Sequence, residues 1–266
     1  MKFFDSLTHV TLDGSWFGER NCDASLPRLL ADMDAAGAYR ACLVAIAGYI
    51  DNDMTLEAAK AHPDRFVPIA GMNPALLPTA RRIEVVMRDI KAQGFAGIKL
   101  HPRLNAYDPL NPKVIDTLDA AAELGLVVLL DTLFRRKGLA TRHAPDVIDH
   151  LAAACPDTKM LLLHGTGPTM MDLYEIVRCN HNLMLDLSFT IMRYRGSSRL
   201  DADMNFLFKS TDQLVTVGSD FPEYSPQHTL ERFAELTPGL AQGRIDNITH
   251  RNLERLFAGY QLPPST

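Results

Sequence analysis

At 266 residues, with 47% hydrophobic and 22% charged residues, the chain is long enough to bury a sizeable core and has the ordinary balance of a globular protein. A net charge of −5 without a long basic run argues against nucleic acid as a partner, and no apolar run reaches the ~18–20 residues that span a bilayer. The four cysteines, Cys22, Cys42, Cys155 and Cys179, lack CxxC spacing, so reduced and mostly buried thiols are expected in place of a disulfide framework or a thiolate zinc site.

The opening segment MKFFDSLTHVTLDG meets Asp5 and His9 too early to form the core of a signal peptide, which predicts a cytoplasmic location. Residues 3–10 read as a strand and 27–36 as a helix. The apolar run 41–47 (ACLVAIA) is a strand, followed by helix 55–61 and strand 66–72 (FVPIAGM). Helical periodicity over 79–92 places Ile83, Val86, Met87 and Ile90 on one face. Strand 96–100, helix 112–124 and strand 126–130 come next, then helix 145–154 and strand 160–164. Helix 168–178 leads to strand 183–188, and helix 199–209 to strand 214–218. Helical stretches 226–236 and 245–258 close the chain, the second an amphipathic tail expected to pack on the outside.

Near-continuous apolar strands alternating with helices belong to a parallel sheet covered on both faces. Eight such units in a chain of this length predict a (β/α)8 TIM barrel with an extra C-terminal helix, one domain over residues 1–266. An open doubly wound sheet fits less well, because no glycine-rich phosphate fingerprint follows the first strand. In a barrel the active site gathers at the C-terminal strand ends. Those ends carry Asp5, Leu7 and His9 on strand 1, Lys99, His101 and Arg103 on strand 4, and Asp131 on strand 5. Strands 6, 7 and 8 add His164, Asp186 with Ser188, and Asp220.

The fragments GFAGIKLHPR, LLLHGTG, VTVGSDFP and ITHRNLERLF resemble, in order and over nearly the whole chain, the amidohydrolase superfamily in its amidohydrolase-related branch. The resemblance implies a distorted barrel that hydrolyses C–N or C–O bonds or, in some branches, decarboxylates. It also implies a divalent metal held by an HxH pair on strand 1, histidine on strand 5 or 6 or both, and aspartate on strand 8. His164 and Asp220 match that pattern; Leu7 replaces the first histidine of the pair and Asp131 stands where strand 5 usually ends in histidine. The expected ligand set is therefore His9, Asp131, His164 and Asp220, holding one zinc or manganese ion or none.

Three readings stay open at this point. With a metal, Asp220 is both ligand and general base. Without one, Asp220 activates water, steered by His164 or His9, and Lys99 stabilises the oxyanion of an activated substrate such as a lactone. The third is a barrel that has kept its fold and lost its chemistry, as a binding protein. His101, extended because Pro102 follows, is expected to face the pocket as a substrate-binding or acid/base residue, or else simply to close the loop. The loops carry Arg103, Arg135, Arg136, Lys137, Arg142, Arg193, Arg195 and Arg199; of these Arg103 and Arg193 are expected to bind a small anionic substrate, beside Tyr194 and Phe189. Barrels of this kind often pair, so a homodimer is the expected assembly.

Overall fold

Alternation of apolar strands with amphipathic helices gives the expected architecture in a computed structural model that describes residues 1–17, 22–136 and 142–262. Among these residues lie eight strands: β1 (Phe3–Thr8), β2 (Ala38–Val44), β3 (Phe66–Met72), β4 (Gly97–Leu100), β5 (Val127–Asp131), β6 (Met160–Leu163), β7 (Leu183–Asp186) and β8 (Val215–Thr216). They pair in parallel and in chain order from β1 to β8. The ring closes just beyond β8, where Thr8 bridges Phe221, His9 N donates to Phe221 O (2.9 Å) and Asp220 N donates to Leu7 O (2.9 Å).

Side chains alternate across the sheet as the pleat requires. Ile98, Leu100, Val128, Leu130, Met160 and Leu162 face outward and join the apolar stripes of the helices, including Leu29 and Met33 and the predicted row Ile83, Met87 and Ile90. Helix Ala80–Gln93, which carries that row, starts on Thr79, whose hydroxyl accepts from Arg82 N, and stops at Gly94 in the left-handed region. Val67, Ile69, Val127, Leu129, Leu161 and Leu163 fill the barrel interior. Among the described residues no helix is long and apolar enough to cross a membrane.

Four expectations change. The tail does not lie on the outside: Leu253 and Phe257 enter the interior cluster, with the Phe257 ring 6.3 Å from Phe4. Buried Asn252 fixes it there, donating to Asp212 O and Val215 O (2.7 Å each). The stretch 168–178 is α-helical only from Tyr174, with 3₁₀ turns ahead of it, because Gly165, Thr166 and Gly167 take positive φ before Pro168. The last strand is two residues long, because the chain turns at Ser219, whose N–H is taken by the Asp5 carboxylate (2.8 Å). Cys42 and Cys155 are buried as expected, but Cys179 is exposed.

Gly97 sets how closely β4 meets β5: it is paired with Val127, and a Cβ at this position would overlap the Val127 carbonyl oxygen. Two backbones cannot step aside as a flexible side chain can. Gly97→Ala should therefore lower stability by about 1–3 kcal/mol, the cost of overpacking a tight interior. Urea unfolding would read this as a lower midpoint, and an unchanged midpoint would show that the strands can separate without cost.

Candidate active site

The carboxyl ends of the strands bring the predicted residues together. Seven of the eight, His9, Lys99, His101, Arg103, His164, Arg193 and Asp220, line one cavity of about 380 Å³; the eighth, Asp131, is fully buried behind it. Trp16, Phe17, Ile46, Leu133 and Glu223 also line the cavity, and strand-end reasoning missed them. The chain's one tryptophan in the first loop, and the glutamate three residues after Asp220, were the signals available for Trp16 and Glu223.

One side of the cavity is built around His9. Its Nδ1 sits 2.6 Å from Val44 O, so Nδ1 carries the proton and Nε2 presents a lone pair. Nε2 is 3.3 Å from Lys99 Nζ and 3.6 Å from Asp220 Oδ1. Burial, with the Lys99 charge adding to it, holds His9 well below the ordinary imidazole value. Its ring is therefore neutral and accepts from the ammonium. Burial likewise pulls Lys99 down, against the opposing charges of Asp220 and Asp131. The Asp220 carboxyl is pushed up by burial, with His164 and Lys99 countering.

The other side is built around Asp131, the last residue of β5. Its Oδ1 accepts from Leu133 N (3.1 Å), while Oδ2 faces His164 Nε2 (3.2 Å), His101 Nε2 (3.3 Å) and Arg103 Nη2 (3.7 Å). These approaches to Oδ2 fall outside hydrogen-bond alignment, so His164 and Arg103 act on it chiefly as charges and His101 through the dipole of its Nε2–H. Burial alone would raise Asp131; His101, His164 and Arg103 outweigh it and hold the carboxyl far below its usual range. Burial opposes a charge on His164 too, but Asp131 and Asp220 prevail and raise it. His164 thus sits as an imidazolium, its Nδ1 3.1 Å from Ser188 O. His101 stays neutral: burial drives it down to about 3, with Asp131 opposing.

The backbone is bent to achieve this aim. His164 has φ 65°, and Gly165, Thr166 and Gly167 continue with φ of 52°, 60° and 64°. Thr132 pins the turn, donating to Leu163 O (2.6 Å) and accepting from Thr166 N (2.7 Å). Phe189 and Asp220 are also left-handed, at φ 61° and 56°. Strained positions of this sort cluster where geometry serves function. Below His164, Asp186 accepts from Ser6 Oγ (2.5 Å) and from the Ser188 hydroxyl. Burial pushes neighbouring Asp5 up to about 7.

Most of the loop cations are engaged elsewhere. Arg142 forks onto Asp108, Arg195 meets Glu235, Arg199 meets Asp203, and Arg136 donates to the carbonyls of Arg103 and Leu104. Lys137 lies outside the described residues. Arg193 lies over the Phe189 ring, 6.0 Å from its centroid, and with Arg103 it faces the cavity as expected. Tyr194 lines an adjoining cavity of about 670 Å³ that shares Arg103, Leu133, Phe189 and Arg193 with the first.

The four residues expected to share a divalent metal do not converge on one point. His9 Nε2 is turned to an ammonium, and His164 Nε2 is turned to Asp131. Leu7 is buried in apolar contact, and among the described residues no group of three or more His, Cys, Asp or Glu is placed to hold a metal ion. The donors do not fit the metal: a lysine nitrogen stands where His9 would coordinate, and the carboxylate of Asp131 is already surrounded.

A family model described as amidohydrolase matches residues 17–257. No curated protein matches the chain. Among solved structures, an uncharacterized TIM-barrel protein from Bordetella bronchiseptica is 19% identical with a TM-score of 0.78, covering 97% of this chain and 99% of that one. A probable 2-pyrone-4,6-dicarboxylic acid hydrolase from Acinetobacter baumannii, with citric acid bound, is 18% identical with a TM-score of 0.66 over 97% and 99%. A 5-carboxyvanillate decarboxylase from Sphingomonas paucimobilis is 15% identical with a TM-score of 0.70 over 96% and 98%. At these identities the likeness concerns the fold.

Proposed function

The chain belongs to the amidohydrolase family, and from that premise we propose that it is an enzyme hydrolysing the C–O bond of a small anionic ester or lactone, with no step that runs through a metal. The observation that carries the reading is the placement of Asp220. A buried carboxylate with raised proton affinity stands beside a neutral imidazole and an ammonium, in a cavity that also holds two arginines. A general base works best when its proton affinity is moved toward the operating pH.

In this reading Asp220 takes a proton from water while the water oxygen attacks the carbonyl carbon. The carbonyl π electrons move to oxygen, where the Lys99 ammonium stabilises the oxyanion. On collapse the C–O bond breaks, and the departing alkoxide takes a proton from Lys99. The Asp220 carboxyl then returns a proton to the lysine. His9, with its lone pair on Lys99 Nζ, holds the ammonium in place. Burial lowers the proton affinity of Lys99, which makes it a better acid for the leaving group. An ester is activated enough to react without a Lewis acid; an unactivated amide needs one more.

Arg103 and Arg193 hold the substrate carboxylate. The binding protein considered from the sequence does not account for a buried base, an ammonium and an imidazolium set around one cavity. The test is turnover of carboxylated lactones and of diacid monoesters by protein treated with a chelator. Ring-opened or free diacid is the expected product. Release of CO2 from the same panel would replace this reading with decarboxylation, and loss of activity restored by zinc or manganese would overturn the metal-free chemistry. In the same assay Arg193→Ala should raise KM about tenfold or more, from the loss of charged hydrogen bonds, with kcat changed less than threefold. An unchanged KM would remove Arg193 from substrate recognition.

A further inference from the structure

Beside the catalytic cavity lies a second space that the chemistry above leaves unused. Trp16 and Phe17 line both the catalytic cavity and a neighbouring one of about 510 Å³, walled further by Thr11, Tyr49, Ile50 and Met54. A row of rings runs from His9 to the surface. His9 stacks on Trp16 (5.5 Å, 23°), Trp16 meets Phe17 edge-on (4.6 Å), and Phe17 meets Tyr49 edge-on (5.6 Å). The wall is fixed at its root, because Trp16 Nε1 donates to Glu223 Oε1 (2.7 Å). Farther out it is open: Leu12, Phe17 and Tyr49 are 92%, 53% and 49% exposed. Phe17 holds its place at φ 46°, a left-handed conformation unusual for a bulky residue.

Charge decides which end of a substrate goes there. Asp13 and Asp51 rim the aromatic cavity, each already accepting a backbone N–H (Ser15 N at 3.0 Å, Met54 N at 3.0 Å) and so held in place. That rim repels a carboxylate. Arg103 and Arg193 do not line that aromatic cavity; they line the catalytic cavity and the 670 Å³ space beside it. An anionic end is therefore directed to the arginines and an uncharged end to the rings. Rings that show edges and faces to one another favour a further ring beyond the area it buries.

We propose that the cavity beyond Trp16 is a subsite for an aryl group, so that the substrate is an aryl-bearing monoacid ester with its carboxylate on Arg103 and Arg193 and its aryl group across Phe17 and Tyr49. This rests on the hydrolytic reading of Asp220 for its orientation. The ester carbonyl then lies between the two ends, over Asp220 and Lys99, and the aryl end departs as the alcohol.

The test is calorimetric binding of three succinate monoesters, methyl, cyclohexylmethyl and benzyl, to the full-length Asp220→Asn protein, which retains the cavity without the base. The benzyl ester should bind at least tenfold more tightly than the methyl ester, with the cyclohexylmethyl ester between them. Adding Tyr49→Ala, which lies outside the catalytic cavity, should remove most of the benzyl advantage and leave the methyl ester within twofold. Phe17→Ala provides a second reading of the same loss. Equal affinities for all three esters would overturn the subsite. So would a cyclohexylmethyl ester equal to the benzyl ester, or a benzyl advantage untouched by both substitutions. Turnover by the unsubstituted protein reads the chemistry separately. Hydrolysis without a benzyl advantage sinks the subsite alone, whereas a Tyr49-dependent advantage without hydrolysis supports the subsite and sinks the catalytic reading.

Discussion

Asp220→Asn is expected to lower kcat for ester or lactone hydrolysis by about 10²–10⁴-fold, the range a positioned general base contributes, while the fold is kept. The backbone tolerates the change, since Asp220 sits at φ 56° and asparagine enters the left-handed region more readily than most residues. The charge is not needed for stability either. Burial raises Asp220 above its ordinary value of 3.8, so the folded protein binds this proton more tightly than the unfolded chain. Stability due to this group therefore falls as pH rises from 3.8 through the raised value, and a neutral asparagine removes that loss. At pH 7 the variant should unfold at the same urea concentration as the parent or a higher one. The parent's kcat/KM should rise as pH climbs through the Asp220 value, because only the carboxylate accepts a proton. A kcat within tenfold of the parent, with the urea midpoint unchanged, would take Asp220 out of the chemistry.

Much of this arrangement could be read before any coordinates. The eight strands were legible because strands buried on both faces are apolar runs, and the barrel follows from their number and spacing. Barrel topology then turns a list of strand ends into a list of cavity residues, and seven of those named do share one cavity. What the sequence does not carry is which group faces which. Lys99 and His9 lie 90 positions apart, and their 3.3 Å contact depends on the relative stagger of β1 and β4. The contact of His164 with Asp131 depends on the left-handed turn after β6, where a threonine as well as glycines takes positive φ. Those two contacts are what separate a charge-paired site from a metal site with the same four residues. The tail shows a related limit: periodicity gave it an apolar face, but whether that face covers helices or closes the barrel is set by the partners of Asn252 and Phe257.

Asp131→Asn should be the more damaging change to the fold, at about 3 kcal/mol. That is the lower end of the cost of removing one member of a buried pair, because His164 can shed its proton once the countercharge is gone. The pH dependence gives this prediction its signature. Asp131 is depressed below its ordinary value of 3.8, so its stabilisation is present above that value and is lost as pH falls toward the folded one. His164 is raised above its ordinary value of 6.5, so its stabilisation is full below 6.5 and is lost as pH rises through the folded value. Asp131→Asn removes the first contribution and, because Asp220 also favours the charge on His164, the Asp131 share of the second. The difference in unfolding free energy between parent and variant should therefore be greatest between about pH 4 and 6.5, and should shrink on either side. Urea unfolding of the two proteins across pH 3 to 9 would measure it. A difference that is flat across this range, or below about 1 kcal/mol throughout, would mean that Asp131 and His164 are not held as an ion pair. The imidazolium that sets this side of the cavity would then be absent, and Lys99 would be left as the cation nearest the reacting carbonyl.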